Sequence, residues 1–278
     1  MHTIDLLACP FCQEGLEEIG KTLVCPNKHT FDIAKEGYVN LLRKKLPGDT
    51  REMLLARRAF LEQGFYQPLS DTLNSLIGER FQTLGHPAAV LDAGCGEGYY
   101  SGRLQQSLEE QGQGQRYLGL DISRDAIRMA AKRYPRIDFV VGNLKDPLVL
   151  RDRSVHMTLN IFAPRNVAEF ARVLVPGGWL LVVIPAPEHL RQLREQLQLL
   201  QIEELKQQHV LEQFQADFRL LENISVRTEL HLRGEEIVQA VMMTPNYWHM
   251  EPEKQQAVAN LAEIETEAAF TCLLFQRG

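Results

Sequence analysis

The most informative stretch of the sequence is Val90-Leu91-Asp92-Ala93-Gly94-Cys95-Gly96-Glu97-Gly98-Tyr99-Tyr100. A short apolar run leads into an acid, passes through three alternating glycines and opens into a helical pattern. This order predicts a strand, a tight turn and the start of a helix. Glycines tolerate positive φ and leave no Cβ between the backbone and a ligand. The free N–H groups of the helix start would then point at whatever lies above the turn.

Two details of this turn narrow its interpretation. The glycines follow the spacing Gly-x-Gly-x-Gly, whereas dinucleotide-binding folds use Gly-x-Gly-x-x-Gly. Asp92 also precedes the first glycine by two residues. Both details resemble motif I of the class I S-adenosylmethionine-dependent methyltransferases. No Lys-Ser/Thr pair follows, which argues against a P-loop, and an ordinary tight turn between strand and helix is the remaining alternative.

Length and composition limit the possible class of protein. A chain of 278 residues with 45% hydrophobic side chains predicts one full α/β domain plus an appendage. We see no apolar run of about 18 residues and no signal-peptide pattern at the start, so we expect a cytoplasmic protein without a membrane contact. Five cysteines argue against a disulfide framework. The net charge of −6 does not indicate nucleic-acid binding, although a local basic patch can dominate such binding.

A metal-binding pattern lies near the N-terminus. Cys9 and Cys12 form a Cys-x2-Cys pair, and Cys25 and His29 follow as Cys-x3-His. Three thiolates and one imidazole predict a tetrahedral zinc site, and four protein ligands leave no position for a catalytic water. The zinc would therefore be structural, because a module of roughly 40 residues cannot bury enough core alone. A short hairpin is expected over residues 16–24.

A basic segment follows the last zinc ligand. Between residues 35 and 58, seven basic side chains face three acidic ones, a local charge of +4. Two interpretations remain, a solvated linker or an arm that contacts RNA phosphates beside the metal module. Helices are expected at 51–63 and from 65 to about 84, before Gly85-His86-Pro87. The candidates for RNA binding are Arg43, Lys44, Lys45, Arg51, Arg57 and Arg58.

Downstream of the glycine turn, strands and helices alternate, which is typical of a parallel doubly wound sheet. The strands are expected at 117–122, 137–141, 155–161 and 179–184. Asp121 ends one of them, where an acid can accept both ribose hydroxyls of an adenosine. Asn143 follows the next, where the adenine edge would lie. Ligands bind over the carboxyl ends of such strands. The predicted site therefore comprises Gly94, Gly96, Glu97, Asp121, Asn143 and Phe162.

The last hundred residues are less informative. A helix is expected at 188–208, with an apolar stripe that serves the core or a subunit contact. Residues 226–232 and 268–276 predict a final antiparallel pair of strands, with a helix at 234–243 between them. Tyr247 and Trp248 would line a substrate cleft or serve packing. The stripe consists of Leu190, Leu193, Leu197 and Leu200.

The order of these motifs resembles a known family. After the zinc knuckles come Lys-Glu-Gly-Tyr-Val-Asn-Leu-Leu, Pro-Gly-Asp, Ala-Arg-Arg-x-Phe-Leu and the methyltransferase core. Together they resemble the bacterial 23S ribosomal RNA (guanine-nitrogen-1)-methyltransferases over essentially the whole chain. That family acts on a guanine of hairpin 35, and one branch confers resistance to tylosin-type macrolides. The implied domains are a zinc-binding module at 1–42, a basic linker with helices at 43–84 and a methyltransferase domain at 85–278.

The resemblance also implies site residues. Cys9, Cys12, Cys25 and His29 match the zinc ligands, and the cofactor would be S-adenosylmethionine. The residues that match cofactor contacts are Tyr66, Gly96, Glu97 and His189. Phe162 departs from the family, where we expect tyrosine in an Ile-Tyr-Ala-Pro segment. A homodimer is one of the oligomeric states left open.

The implied reaction is methyl transfer to guanine N1 of 23S ribosomal RNA. Asn160 and Phe162 would wall the acceptor pocket, and no proton acceptor is assigned. The first alternative is a small-molecule methyltransferase of the quinone-biosynthesis type. The second is an RNA-binding module without catalysis, against which the intact glycine turn and Asp121 argue.

Overall fold

A mixed eight-stranded sheet forms the centre of the protein, and a small three-stranded sheet lies beside it. The computed structural model describes residues 1–44, 46–84, 86–244, 247 and 250–278. Three residues named in the sequence analysis, Lys45, Gly85 and Trp248, lie outside this part of the chain. None of the helices in the described residues is long and apolar enough to cross a membrane.

The elements are numbered in chain order. The strands are β1 Glu17–Ile19, β2 Thr22–Val24, β3 Thr30–Asp32, β4 Val39–Asn40, β5 Ala89–Ala93, β6 Arg116–Asp121, β7 Asp138–Val141, β8 Val155–Ile161, β9 Leu174–Pro185, β10 Phe218–Arg233 and β11 Glu263–Arg277. The helices are α1 Arg51–Glu62, α2 Gln67–Gln82, α3 Tyr99–Glu110, α4 Arg124–Arg133, α5 Val167–Val173, α6 Arg191–Gln196, α7 Lys206–Phe214, α8 Glu235–Met242 and α9 Pro252–Asn260.

The large sheet has the order β10-β11-β9-β8-β5-β6-β7-β4. Its strands from β4 to β9 pair in parallel, whereas β11 pairs antiparallel with both β9 and β10. The central strand β5 is buried along its whole length. That pattern is expected of a parallel sheet with both faces covered. The expected doubly wound parallel sheet and its final antiparallel pair are therefore confirmed.

The small sheet, β1-β2-β3, belongs to the zinc-binding segment and shares its core with the large sheet. Leu16 and Leu23 pack in the same buried cluster as Leu91 and Leu118 of the central strands. The strand β4, which follows the zinc ligands, joins the edge of the large sheet beside β7. The metal-binding segment is thus built onto one face of the methyltransferase sheet.

A polar contact fastens the N-terminus to the same edge. The backbone N–H and the hydroxyl of Thr3 both donate to Asp138 Oδ2, at 2.7 and 2.8 Å. Leu7 also forms an antiparallel bridge with Leu150. Both Thr3 and Asp138 are buried, so each polar atom needs this partner.

The prediction of a single helix over residues 188–208 is wrong. The chain forms α6, breaks, and starts again as α7. The break begins at Gln198, whose φ of 52° is left-handed, and the N–H of Leu199 donates to Arg194 O at 2.8 Å. This is the bonding pattern of a Schellman helix end. The expected stripe divides accordingly, because Leu193 is buried whereas Leu200 is 74% exposed.

Other elements differ in extent. The final two strands are much longer than expected, and β9 begins at Leu174, before the strand start expected at residue 179. Helix α9 has a weak apolar face around Val258 and was not expected from the sequence. Tyr247 packs against the core, in agreement with the packing alternative.

The ring of Tyr134 closes tightly over helix α3. A Cβ at Gly98 would lie 3.0 Å from Tyr134 Cδ2, and a Cβ at Gly102 would overlap the same ring. Gly98 precedes the helix with a φ of 85°, and Gly102 lies in its first turn. The glycine at 102 is thus required by packing.

We predict that Gly102→Ala destabilises the protein, although the same change in an open helix would stabilise it by about 1 kcal/mol. Overlap with Tyr134 costs about 1–3 kcal/mol. Urea unfolding should show a net loss of up to about 2 kcal/mol in the free energy of unfolding. Gly114→Ala is the matched control, because a Cβ there meets nothing within 4 Å. A more stable Gly102→Ala variant would contradict this account.

Candidate cofactor and metal sites

The glycine turn is held at the end of the neighbouring strand. Gly94, Gly96 and Gly98 have φ values of 93°, 54° and 85°, all left-handed. Side chains are strained in this conformation and glycine is not. The N–H groups of Gly94 and Cys95 donate to Leu120 O at 2.8 and 3.1 Å, and that of Gly96 donates to Asp121 Oδ2 at 2.9 Å. Strands β5 and β6 are thereby joined at their carboxyl ends.

The carboxylate of Asp121 lies where the sequence predicts it. Its second oxygen accepts from the N–H of Ser123 at 2.8 Å. Burial raises the pKa of the Asp121 carboxyl, and the two backbone N–H donors lower it in part. Each carboxylate oxygen has two lone pairs. Asp121 can therefore accept hydroxyl donors while it holds the turn.

A second acid lies beneath the turn. Asp92 is 3% exposed and accepts a hydrogen bond from the hydroxyl of Ser101 in α3. Burial raises the pKa of the Asp92 carboxyl to about 7, the Ser101 hydroxyl lowers it, and the charge of Asp121 raises it further. Asp92 thus ties the strand before the turn to the helix after it.

Tyr66 and His189 form a buried pair on the other side of the site. His189 Nε2 lies 3.1 Å from the Tyr66 hydroxyl, and the N–H of Ala269 donates to His189 Nδ1 at 3.2 Å. Because Nδ1 accepts, the proton of the neutral ring is on Nε2 and donates to Tyr66. Burial lowers the pKa of His189 to about 3, with smaller contributions from Arg194 and Lys206, so the ring stays neutral. The Tyr66 hydroxyl keeps its own hydrogen for a ligand.

Aromatic rings continue from this pair towards the surface. Phe270 packs against both Tyr66 and His189, with ring centroids 4.8 Å apart in each case. Phe162 lies 5.4 Å from Phe270 and 6.5 Å from Tyr100. Phe162 is 44% exposed and has a left-handed φ of 55°. A large side chain held in this conformation at an exposed position is typical of a functional site.

Two asparagines support the loops around the site. Asn160 is buried, and its Nδ2 donates to Ala93 O and Pro164 O at 3.2 and 3.0 Å. It therefore holds the loop that carries Phe162. Asn143 is the second residue after β7, and its Oδ1 accepts from the N–H of Lys145 at 3.1 Å. This bond forms a local turn at the third strand end.

The basic candidates divide into two groups. Arg43, Lys44 and Arg51 are exposed, as an RNA contact requires. Arg57 and Arg58 instead turn towards the glycine turn. Arg57 pairs with Asp49 at 2.6 Å, and Arg58 lies 3.7 Å from Glu97, which is 2% exposed. Burial raises the pKa of Glu97, and the nearby arginines lower it.

The four predicted zinc ligands converge. The ligand atoms of Cys9, Cys12, Cys25 and His29 all lie within 4.8 Å of one another. The His29 Nδ1 atom is 3.4 Å from Cys9 Sγ and 3.3 Å from Cys25 Sγ, and the sulfurs of Cys12 and Cys25 are 3.7 Å apart. Zn–S bonds of about 2.3 Å and tetrahedral angles require separations of this size. The donor set and its spacing fit a structural zinc ion.

The fold and the glycine turn define a class I methyltransferase, whose cofactor is S-adenosylmethionine, with a structural zinc site at its N-terminus. Residues 90–178 match a family model described as a methyltransferase domain. Residues 7–45 match a zinc-ribbon family described as "RlmA, N-terminal".

Relatives cover nearly the full length. The Streptomyces fradiae protein named 23S rRNA (guanine(748)-N(1))-methyltransferase is 40% identical over 276 residues, 97% of either chain. A Micromonospora griseorubida protein, provisionally named 23S rRNA (guanine-N(1)-)-methyltransferase, is 36% identical over 95% of this chain and 94% of its own. The chain therefore belongs to the family of 23S rRNA (guanine-N1)-methyltransferases.

More distant similarities are weaker in coverage or in identity. A demethylmenaquinone methyltransferase of Chlorobaculum tepidum is 34% identical over 26% of this chain and 32% of its own. One chain of the complex between the Haloferax volcanii Trm112 methyltransferase activator and a methyltransferase superposes with a TM-score of 0.50 at 17% identity. The superposition covers 83% of this chain and 99% of that chain. At this identity it shows only that the two proteins share a fold.

Most of this site could be found from local spacing, but the Tyr66–His189 pair could not. These residues lie 123 positions apart, and only the family resemblance singled them out. The pairing of Arg57 and Arg58 with acids near the turn was missed. Two adjacent arginines in a helix do not by themselves reveal which neighbouring groups their side chains contact.

We predict that Cys12→Ser lowers the zinc content from about one ion per chain and destabilises residues 1–42, since the site has four protein ligands and no replacement. Atomic emission would measure the zinc, and limited proteolysis would locate the unfolded segment. Cys272→Ala is the control, because Cys272 is buried away from the cluster in the large sheet. Full zinc retention by Cys12→Ser would contradict the assignment.

A second prediction concerns pH. The folded protein keeps a proton on Asp92 between about pH 4 and pH 7, whereas the unfolded chain loses it. The contribution of Asp92 to stability therefore falls as pH rises through this range. Asp92→Asn can still accept from Ser101 and should remove this slope, about 1.4 kcal/mol per pH unit. Urea unfolding at pH 4.5 and 6.5 measures it, and equal slopes in the two proteins would contradict the argument.

Proposed function

We propose that the protein transfers the methyl group of S-adenosylmethionine to N1 of a guanine in hairpin 35 of 23S ribosomal RNA. The observation that carries this proposal is the 40% identity to the S. fradiae enzyme over 97% of both chains. This similarity includes the zinc ribbon as well as the methyltransferase core. The same proposal places the protein in the cytoplasm, where its RNA substrate resides.

The cofactor would lie over the carboxyl ends of β5, β6 and β7. Asp121 would accept from the ribose hydroxyls, and Asn143 would lie at the adenine edge. The backbone of the turn would approach the ligand closely, because Gly94 and Gly96 carry no Cβ. Tyr66 would donate its hydroxyl hydrogen to the cofactor, and His189 would hold that hydroxyl in place. Glu97 supplies a buried carboxylate beside the turn.

The acceptor base would enter beside Phe162. Guanine N1 is engaged in Watson–Crick pairing, so the base must be unpaired or turned out of its stack. An exposed aromatic ring can hold such a base by stacking. Asn160 would act indirectly, because its amide shapes the loop that presents Phe162.

The reaction then depends mainly on positioning. The sulfonium of S-adenosylmethionine supplies an electrophilic methyl group. The chain has to hold the guanine in line with that methyl group and exclude water from the site. The aromatic residues Phe162, Phe270 and Tyr100 form an apolar wall suited to both tasks.

The RNA would be held outside the catalytic centre. Arg43, Lys44 and Arg51 are exposed on the segment that leaves the zinc ribbon. Contacts of this kind go to phosphates and to the shape of a hairpin. Zinc has no electrophilic role in this proposal and holds the ribbon surface in place. The homodimer and a contribution to macrolide resistance stay predictions.

The quinone-type alternative rests on a short match. The similarity to the demethylmenaquinone methyltransferase covers only 26% of this chain, against 97% for the S. fradiae protein. The non-catalytic alternative would not explain why the glycine turn and Asp121 of a cofactor site are both present.

The direct test is to incubate the protein with labelled S-adenosylmethionine and unmodified 23S RNA fragments, with and without hairpin 35. Ribosomal precursors serve as a second substrate. Nuclease digestion and mass spectrometry should find a single N1-methylguanine in hairpin 35. Methylation of a demethylated quinone, with every RNA left unlabelled, would overturn the proposal.

We predict that Phe162→Ala lowers kcat/KM for RNA methylation by about 10- to 100-fold, the loss expected when a stacking ring is removed. Affinity for S-adenosylhomocysteine, measured by calorimetry, should change little. Phe162→Tyr should keep its activity, because the ring is retained. Leu200→Ala, which removes another exposed apolar side chain, is the control. An equal loss of cofactor affinity in Phe162→Ala would contradict an acceptor role.

A further inference from the structure

The guanidinium of Arg57 lies over the glycine turn. Its Nη1 atom is 3.4 Å from the position that a Cβ on Gly96 would occupy. Its Nη2 atom pairs with Asp49 Oδ2 at 2.6 Å and donates to Met243 O at 3.5 Å. Arg57, which belongs to α1, therefore contacts the end of α8 and lies over the glycine turn.

The positive charge of Arg57 lowers the pKa of two carboxyl groups around the turn. Burial raises the pKa of the Asp121 carboxyl, Asp49 raises it further, and Arg57 lowers it. Burial also raises the pKa of Glu97, and Arg58, Arg133 and Arg57 lower it. The positive charge of Arg57 thus acts on the acids of the cofactor site, whereas its ion pair is with Asp49.

The partner of Arg57 is one that a ligand could replace. Asp49 lies on the connection before α1 and its side chain is 36% exposed. Its backbone carbonyl accepts from the hydroxyl of Ser123, and a Cβ on the preceding Gly48 would lie 2.7 Å from Ser123 Cβ. The Asp49 segment therefore rests on the loop after Asp121, beside the expected position of the ribose.

The other two cations near the turn lie beside acids of the turn itself or of helix α1. Arg58 lies beside the buried carboxylate of Glu97, and Arg133 pairs with Glu62. Among the described residues near the turn, Arg57 is thus the cation whose acidic partner lies on a loop.

The amino-acid end of S-adenosylmethionine carries a carboxylate. A guanidinium binds a carboxylate through two parallel N–H···O bonds and keeps its charge at any physiological pH. We propose that Arg57 binds the carboxylate of the methionine moiety of S-adenosylmethionine, and that the Asp49 carboxylate occupies this position until the cofactor displaces it.

This inference rests on the proposed place of the cofactor over the glycine turn and not on the RNA substrate. It removes Arg57 from the phosphate-contacting group expected from the sequence. It also gives Asp49 a role as a competitor for the same guanidinium.

Calorimetry with two ligands tests the proposal. S-adenosylhomocysteine carries the carboxylate, and 5′-methylthioadenosine lacks the whole amino-acid end. Arg57→Gln should weaken S-adenosylhomocysteine binding by about 30-fold and 5′-methylthioadenosine binding by less than about threefold. Arg57→Lys should fall between, because lysine keeps the charge and loses the paired bonds. Asp49→Asn should tighten S-adenosylhomocysteine binding, since it weakens the competitor.

The matched control is Arg128→Gln, which removes an exposed arginine from another ion pair, with Asp125 at 3.4 Å. It should change neither ligand affinity, and thermal unfolding should show that each variant is folded. Equal weakening of both ligands by Arg57→Gln would overturn the proposal, because the role would then be structural. Weaker RNA binding with unchanged S-adenosylhomocysteine affinity would overturn it as well. If Arg57→Gln shows the ligand-selective loss but the unmodified protein methylates no RNA, the proposed function is overturned and the role of Arg57 stands.

Discussion

The hydrogen bond from the Gly96 N–H to the Asp121 carboxylate is the contact on which the cofactor site depends. It closes a turn whose three glycines are all left-handed, and it joins the ends of β5 and β6. Without it, Asp121 would keep only its bond from the Ser123 N–H, and the turn would lose its link to the carboxylate. The adjacent bonds to Leu120 O and the buried Asp92–Ser101 pair hold the same turn from below. Strand ends, cofactor contacts and helix α3 therefore share one local constraint.

The zinc ribbon depends on the sheet in a different way. Each of its three strands has only three residues, too few to enclose a core. The metal fixes the two knuckles, and the leucines of the ribbon complete their burial against β5 and β6. Strand β4 and the Thr3–Asp138 bonds lock the ribbon at the edge beside β7. The exposed basic segment thus leaves from a firmly placed surface and enters α1, which reaches the glycine turn through Arg57.

The sequence predicted the parts of the protein that local spacing determines. The glycine turn, Asp121 and the four zinc ligands each follow from residues a few positions apart. The helix expected at 188–208 failed because its leucines keep helical spacing across a break, and only Leu200 turns to solvent. The Tyr66–His189 pair depends on tertiary structure, since β11 supplies the Ala269 N–H that sets the histidine tautomer. The direction of Arg57 depends likewise on how α1 packs against α8, which no periodicity reveals.

The central claim is that S-adenosylmethionine binds over the ends of β5, β6 and β7. Amide hydrogen exchange with and without S-adenosylhomocysteine tests it most directly. We expect slower exchange at residues 94–98, 121–123 and 142–143 when the ligand is bound, because these backbone groups line one strand edge. Protection confined to other parts of the chain, or no change at all with saturating ligand, would contradict the account.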